Sequence, residues 1–258
     1  MIFCKTTSLI ILIFFNALIS TETLSHVAPN RFQVNIPTVQ KEIDSIWRTI
    51  TDISFFDEHG YTVNLPDHSF IETLLAKSRN GSLKDQDFEK LKVLFRDEIY
   101  NPQDYAQSVY AVKTSLSLAN KILNEISMMD LQWPFKFFKS YEIQLTLYGS
   151  GGSYRPDTGT IILLTNKKGG FKNYKDPINN IIHELVHIGV EDSIVQELSL
   201  SHPMKEQVID TFIKVAFTEE LPDYRVQPMG EASFSKTIHS KNDLLNYKHI
   251  ISEFIAQQ

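Results

Sequence analysis

Asp176-Pro177-Ile178-Asn179-Asn180-Ile181-Ile182-His183-Glu184-Leu185-Val186-His187-Ile188 is the stretch from which the rest of the chain can be read. Asp followed by Pro is a strong helix start. The carboxylate caps the unpaired first-turn N–H groups, and proline lacks the N–H that would be orphaned there anyway. His183 and His187 are four residues apart, just over one turn, so both imidazoles leave one face of the helix and can share a single small cation. Neutral imidazole is a good zinc ligand. The adjacent Glu184, if it is not itself a ligand, is suited to take a proton from water activated by the metal. An HExxH pattern arises by chance on the order of once in a hundred chains of this composition, so the surroundings must carry weight. Here they do: the motif lies among Ile178, Ile181, Ile182, Leu185, Val186 and Ile188. A His-Glu-His set in so apolar a segment is costly to bury without a partner, and a metal is the simplest partner.

The remainder of the composition excludes other classes. The chain has 258 residues, enough for one domain with a large core or for two tightly packed subdomains. Its 42% hydrophobic and 22% charged content is that of an ordinary globular protein. A net charge of −6 without a run of Lys or Arg leaves no electrostatic footprint for nucleic acid or an anionic membrane. The first twenty residues read as a secretory signal: Lys5 precedes the apolar run 9–15, and small residues follow at 17–20. That run is too short to span a bilayer. Cys4 precedes the apolar run, so it does not mark a lipid-attachment site. Cleavage near Ser20 leaves no cysteine, so metal chemistry in the mature chain must use His and carboxylate. Asn80-Gly81-Ser82 matches a glycosylation sequon, which matters only in a eukaryotic secretory pathway.

The first half is helical in pattern. Val39, Ile43, Ile46, Trp47 and Ile50 share a face over residues 38–53, as do Phe88, Leu91, Leu94 and Phe95 over 88–99. After Asn101-Pro102, the run to Met129 lacks proline and glycine and is long enough for one extended helix. From Tyr141 the period changes to two. Ile143, Leu145 and Leu147 alternate with Glu142, Gln144 and Thr146, which predicts a strand with one buried face. Turn residues at 149–153 and 156–159 separate it from Thr160–Leu164, and the two runs read as a hairpin. The glycines at 149–152 lack the Lys-Ser/Thr and the following helix of a phosphate cradle, so they read as a loop. Asp57-Glu58-His59-Gly60 reads as a turn, not as a second metal site.

A catalytic zinc generally has three protein ligands, so a third is expected downstream. Metzincin spacing is excluded, because Val190 and Ser193 stand where glycine and histidine are needed. His202-Pro203 starts another helix on which Glu206 and Asp210 lie four apart on one face. Over residues 183–210 the sequence resembles the thermolysin-like gluzincins, with a gap between motif and glutamate about one residue shorter than that family's. The resemblance implies that Glu206 is the third ligand and that Asp210 orients His183 from behind. Glu191, one turn after His187, and His202 are competing ligands. Members of that family also carry a downstream histidine or tyrosine that stabilises the oxyanion. Tyr224, His239, Tyr247 and His249 are the candidates here, Tyr224 foremost.

The expected fold is therefore α+β. A mainly helical region at 21–140, after a signal at 1–20, packs on a zincin-like catalytic region at 141–258 with a small sheet and two metal-site helices. The expected activity is exported, periplasmic or extracellular peptide hydrolysis with one Zn2+ per chain. His183, His187 and Glu206 are the ligands, Glu184 is the general base, and Thr160–Leu164 aligns an extended peptide or protein substrate. The alternative is an inactive zincin-like binding protein that keeps the metal without turnover. No nucleic-acid partner and no stable membrane span are expected.

Overall fold

The computed structural model describes residues 31–172, 174, 176–227 and 233–257. The expected signal at 1–20, with Cys4, lies outside the described residues. The chain is α+β, a largely helical protein built around one four-stranded sheet. β1 (Phe32–Asn35) leads into α1 (Val39–Thr51), α2 (Ile53–Glu58), α3 (Ser69–Arg79) and α4 (Asp85–Leu94), the last continued by a π-helical turn, Phe95–Ile99. A 3-10 turn at Pro102–Tyr105 starts the long α5 (Ala106–Met128). Then come β2 (Tyr141–Thr146), β3 (Ser153–Arg155), β4 (Thr160–Leu164), α6 (Pro177–Val190), α7 (His202–Phe217), α8 (Lys241–Leu245) and α9 (Tyr247–Ala256).

The helices begin where the capping chemistry directs. Thr38 accepts from Lys41 N–H at the start of α1, and Asn101 from Gln103 N–H before Pro102. Asp176 accepts from Ile178 N–H at 3.0 Å with Pro177 at the first helical position of α6. The apolar stripes expected on 38–53 and 88–99 are core faces: Ile43, Ile46, Ile50, Leu91 and Phe95 are fully buried or nearly so. The same apolar cluster continues through α5, the sheet, α6 and α7, so both parts of the chain share one core.

The sheet departs from the expected hairpin. Its order is β1-β2-β4-β3, with β1, β2 and β4 parallel and only β3 antiparallel to β4. The connection from β2 to β4 is long enough to carry β3, which forms the hairpin with β4 in β2's place. A parallel arrangement is covered on both faces. Accordingly Gln144 and Thr146, expected on an exposed face, are buried beside Ile143 and Leu145, and all five residues of β4 are buried. β4 is internal, so the expectation that Thr160–Leu164 offers an edge to a peptide is corrected. β3 is the edge.

α6 lies across β3 and β4, with α5 on one side and α7 on another. Gly189 permits a close fit at its end, because a Cβ there would fall 1.9 Å from the Phe135 ring. Among the described residues no helix is long and apolar enough to cross a membrane.

Candidate metal centre

His183, His187 and Glu206 meet in a buried cluster between α6 and α7. The His183 and His187 Nε2 atoms lie 3.1 Å apart, and Glu206 Oε2 is 3.2 Å from the first and 3.3 Å from the second. Two imidazole nitrogens and a carboxylate oxygen converge on this point. Their convergence is repulsive until a proton or a cation stands among them, and the group could hold one metal ion. The i, i+4 spacing on α6 places the two rings. The packing of α7 on α6 then brings in Glu206, whose other oxygen faces outward towards His202 Nδ1 at 3.5 Å and Lys205 Nζ at 3.8 Å.

Each histidine is held differently. His183 Nδ1 is 2.7 Å from the Tyr224 hydroxyl, which in turn donates to Asp210 Oδ1 at 2.6 Å. Asp210 itself stands 3.5 Å from His183 Nδ1. Asp210 thus reaches His183 largely through the phenol between them. His187 Nδ1 has no hydrogen-bond partner among the described residues. Its ring is instead fixed by Tyr154 of β3, stacked at 4.6 Å and 10°. Tyr154 donates to Glu191 Oε2 at 2.6 Å, and Lys205 Nζ approaches the same hydroxyl at 3.3 Å. Glu191 therefore braces the tyrosine that braces His187, and it does not join the cluster. Its carboxylate, on the first residue of the π-helical turn Glu191–Gln196, is engaged by the Tyr154 hydroxyl and by Gln196 Nε2.

Charge follows these surroundings. Burial opposes a proton on His183, but hydrogen bonds to Asp210 and Glu206 outweigh it and raise this group to about 10. His187, buried and facing a charged His183, is pushed down to about 4 despite its contact with Glu206. The pair thus carries one proton. Burial raises Glu206, yet the two histidines outweigh that and hold its carboxyl far below the usual range.

Glu184 is buried beside the cluster, and no hydrogen bond to its carboxylate forms among the described residues. Desolvation lifts it to about 7, with Glu206 adding to the rise and His183 and Lys205 opposing it. The glycine loop bounds it: a Cβ on Gly152 would fall 2.5 Å from Glu184 Oε1. That loop is tied down by the Asn64–Gly149 bridge and by Lys172 Nζ, which donates to the Ser150 carbonyl. The spacing of residues 149–153 signals a loop but gives no hint of which carboxylate it would abut.

Tyr224 was the leading oxyanion candidate, and its position corrects that expectation. The hydroxyl is committed to His183 Nδ1 and Asp210, on the far side of the imidazole from the cluster. The other candidates lie elsewhere: Tyr247 donates to the Val208 carbonyl, His249 pairs with Glu253 on α9, and His239 is exposed. Gln227 is the residue sequence reasoning missed. Its backbone N–H donates to Asp210 Oδ2 at 2.6 Å, and its side-chain Nε2 donates to Glu206 Oε2 at 3.0 Å and lies 3.2 Å from His183 Nε2.

Compared with family models, curated proteins and solved structures, the chain matches none.

Proposed function

We propose that this protein is a zinc-dependent metallopeptidase of the gluzincin type, exported from the cell that makes it. The observation that carries the reading is the triangle of His183 Nε2, His187 Nε2 and Glu206 Oε2, with sides of 3.1 to 3.3 Å, beside Glu184, whose carboxylate accepts no hydrogen bond among the described residues. Tetrahedral ligands at about 2.0–2.1 Å from zinc stand about 3.3 Å from one another, so the three donors need little movement to accept it. Two imidazoles and one carboxylate are also the ligand set used by catalytic zinc in peptidases.

Bound there, zinc would supply Lewis acidity, easing deprotonation of a water and polarising a carbonyl. The chain's own groups do the rest. Glu184 takes the proton from the attacking water and delivers it to the departing amine as the C–N bond breaks. Gly152 leaves room for that carboxylate to face the reacting atoms. Tyr224 and Asp210 hold His183, and Tyr154 holds His187, so neither ligand has to be reoriented at the moment of reaction. The outer edge of β3, unpaired by another strand among the described residues, is where an extended peptide's main chain would add as a further strand. The export assignment rests on residues 1–20.

The test is Glu184→Gln measured against a peptide library, with metal content determined in parallel. The variant is expected to keep its zinc and lose hydrolysis by about 10²–10⁴-fold. Undiminished cleavage by a zinc-loaded E184Q protein would remove the mechanism, and absence of zinc from the folded wild type would remove the enzyme.

A further inference from the structure

Gln227 places an amide against the edge of the ligand triangle formed by His183 and Glu206. Its Nε2 lies 3.2 Å from His183 Nε2 and 3.0 Å from Glu206 Oε2, close to the 3.1 to 3.3 Å that separate the ligand atoms themselves. The side chain does not reach this point by chance drift of a free loop, because the backbone behind it is fastened three times. Gln227 N–H donates to Asp210 Oδ2 at 2.6 Å, Tyr174 Oη donates to the Arg225 carbonyl at 2.9 Å, and Tyr224 is tied to both His183 and Asp210. Gln227 itself is only half-buried, so its side chain can swing away while its backbone stays fixed.

With the Glu206 carboxylate facing it, the amide turns its NH2 group towards the cluster. A cation at the centre reverses that preference, and rotation about the last side-chain bond presents the amide oxygen, a neutral oxygen donor, to the same point. We propose that Gln227 is a fourth metal ligand in the resting protein, a side-chain latch that closes the coordination shell and must be displaced before a water or a substrate carbonyl can take that position. The latch rests on the metal-site reading above but not on peptide hydrolysis. Asp210 thereby serves two ends of one device: through one oxygen and Tyr224 it holds His183, and through the other it holds the backbone of the latch.

Cobalt(II) in place of zinc tests this without reference to activity, since its visible absorption reports the ligands around it. Wild-type, Gln227→Ala and Gln227→Glu proteins are loaded with cobalt and titrated with azide, and loss of metal to a chelator is timed. The expected result is a wild-type spectrum that azide changes only at high concentration. Q227A should bind azide about tenfold more tightly or better and lose cobalt about tenfold faster. Q227E, with a stronger oxygen donor at the same reach, should resist azide and retain cobalt at least as well as the wild type. Equal azide affinities and equal loss rates in all three would overturn the latch. Failure of the wild type to bind cobalt would remove the metal reading and the latch with it, whereas loss of binding in Q227A alone would support Gln227 as a ligand. Cobalt binding and latch behaviour without peptide cleavage would sink only the peptidase.

Discussion

The Tyr224 hydroxyl lies 2.7 Å from His183 Nδ1, and this contact decides which nitrogen of that imidazole is left to face the cluster. A ring whose Nδ1 is engaged from behind presents Nε2 forwards in one orientation. Tyr224→Phe removes the hydroxyl while keeping the ring that stacks on Tyr174 at 5.8 Å. Asp210, left 3.5 Å away, is a poorer direct partner. Zinc affinity is expected to fall by about 10–100-fold, read by competition with a chromogenic chelator, with thermal stability little changed. Unaltered affinity would show that His183 needs no help from behind.

The two glutamates that compete on paper separate cleanly in space. Glu206→Gln should abolish tight zinc binding, because it removes the charged corner of the triangle. Glu191→Gln should leave about one zinc per chain, since Glu191 reaches the site only through Tyr154. Metal analysis of the two purified variants decides the point, and equal losses in both would contradict the assignment of Glu206.

Gly152 guards the position of Glu184, the proposed general base. A methyl group there would stand 2.5 Å from Glu184 Oε1, and the flexible end of that side chain, not the backbone, would yield. Gly152→Ala is therefore expected to fold and to bind zinc normally while kcat drops by about tenfold or more, with the shift of a catalytic group as the cause. A variant with wild-type kcat would mean that Glu184 has more freedom than the contact allows.

Outside the His183–His187–Glu206 cluster, Glu42 is buried and accepts from Tyr105 Oη, Leu147 N–H and Thr146 Oγ1. Desolvation raises its pKa above the usual carboxylate value, against the lowering effect of those bonds. The folded state thus holds this proton more tightly than the unfolded chain. The resulting stabilisation is full below the unfolded value near 4.5 and is lost as pH rises through the raised folded value. Glu42→Gln can keep the network, with its oxygen accepting from Tyr105 and Leu147 and its amide donating to Thr146, whose own proton goes to the Tyr148 carbonyl. Thermal unfolding of the two proteins at pH 4.5 and pH 8 should show E42Q gaining on the wild type as pH rises. A difference independent of pH would mean that Glu42 titrates normally.

Local chemistry by itself determined the helices and their faces. Thr38, Asn101 and Asp176 cap because their side chains bond backbone groups two or three residues away, and His183, Glu184 and His187 sit together because a helix turns in 3.6 residues. Glu206 and Asp210 were legible as a pair on one face for the same reason. What no local rule contains is which surface meets which. Alternation along 141–147 marks a strand, but whether β4 or β3 pairs beside it, and in which direction, depends on helices that cover both faces of the sheet. The places of Tyr154, Gly152, Tyr224 and Gln227 were decided by tertiary packing, since their partners lie tens of residues away and short irregular segments carry no period that could announce them. Period alone also leaves Glu191 as a competing ligand one turn after His187, and only packing shows that Tyr154 of β3 takes up its carboxylate instead.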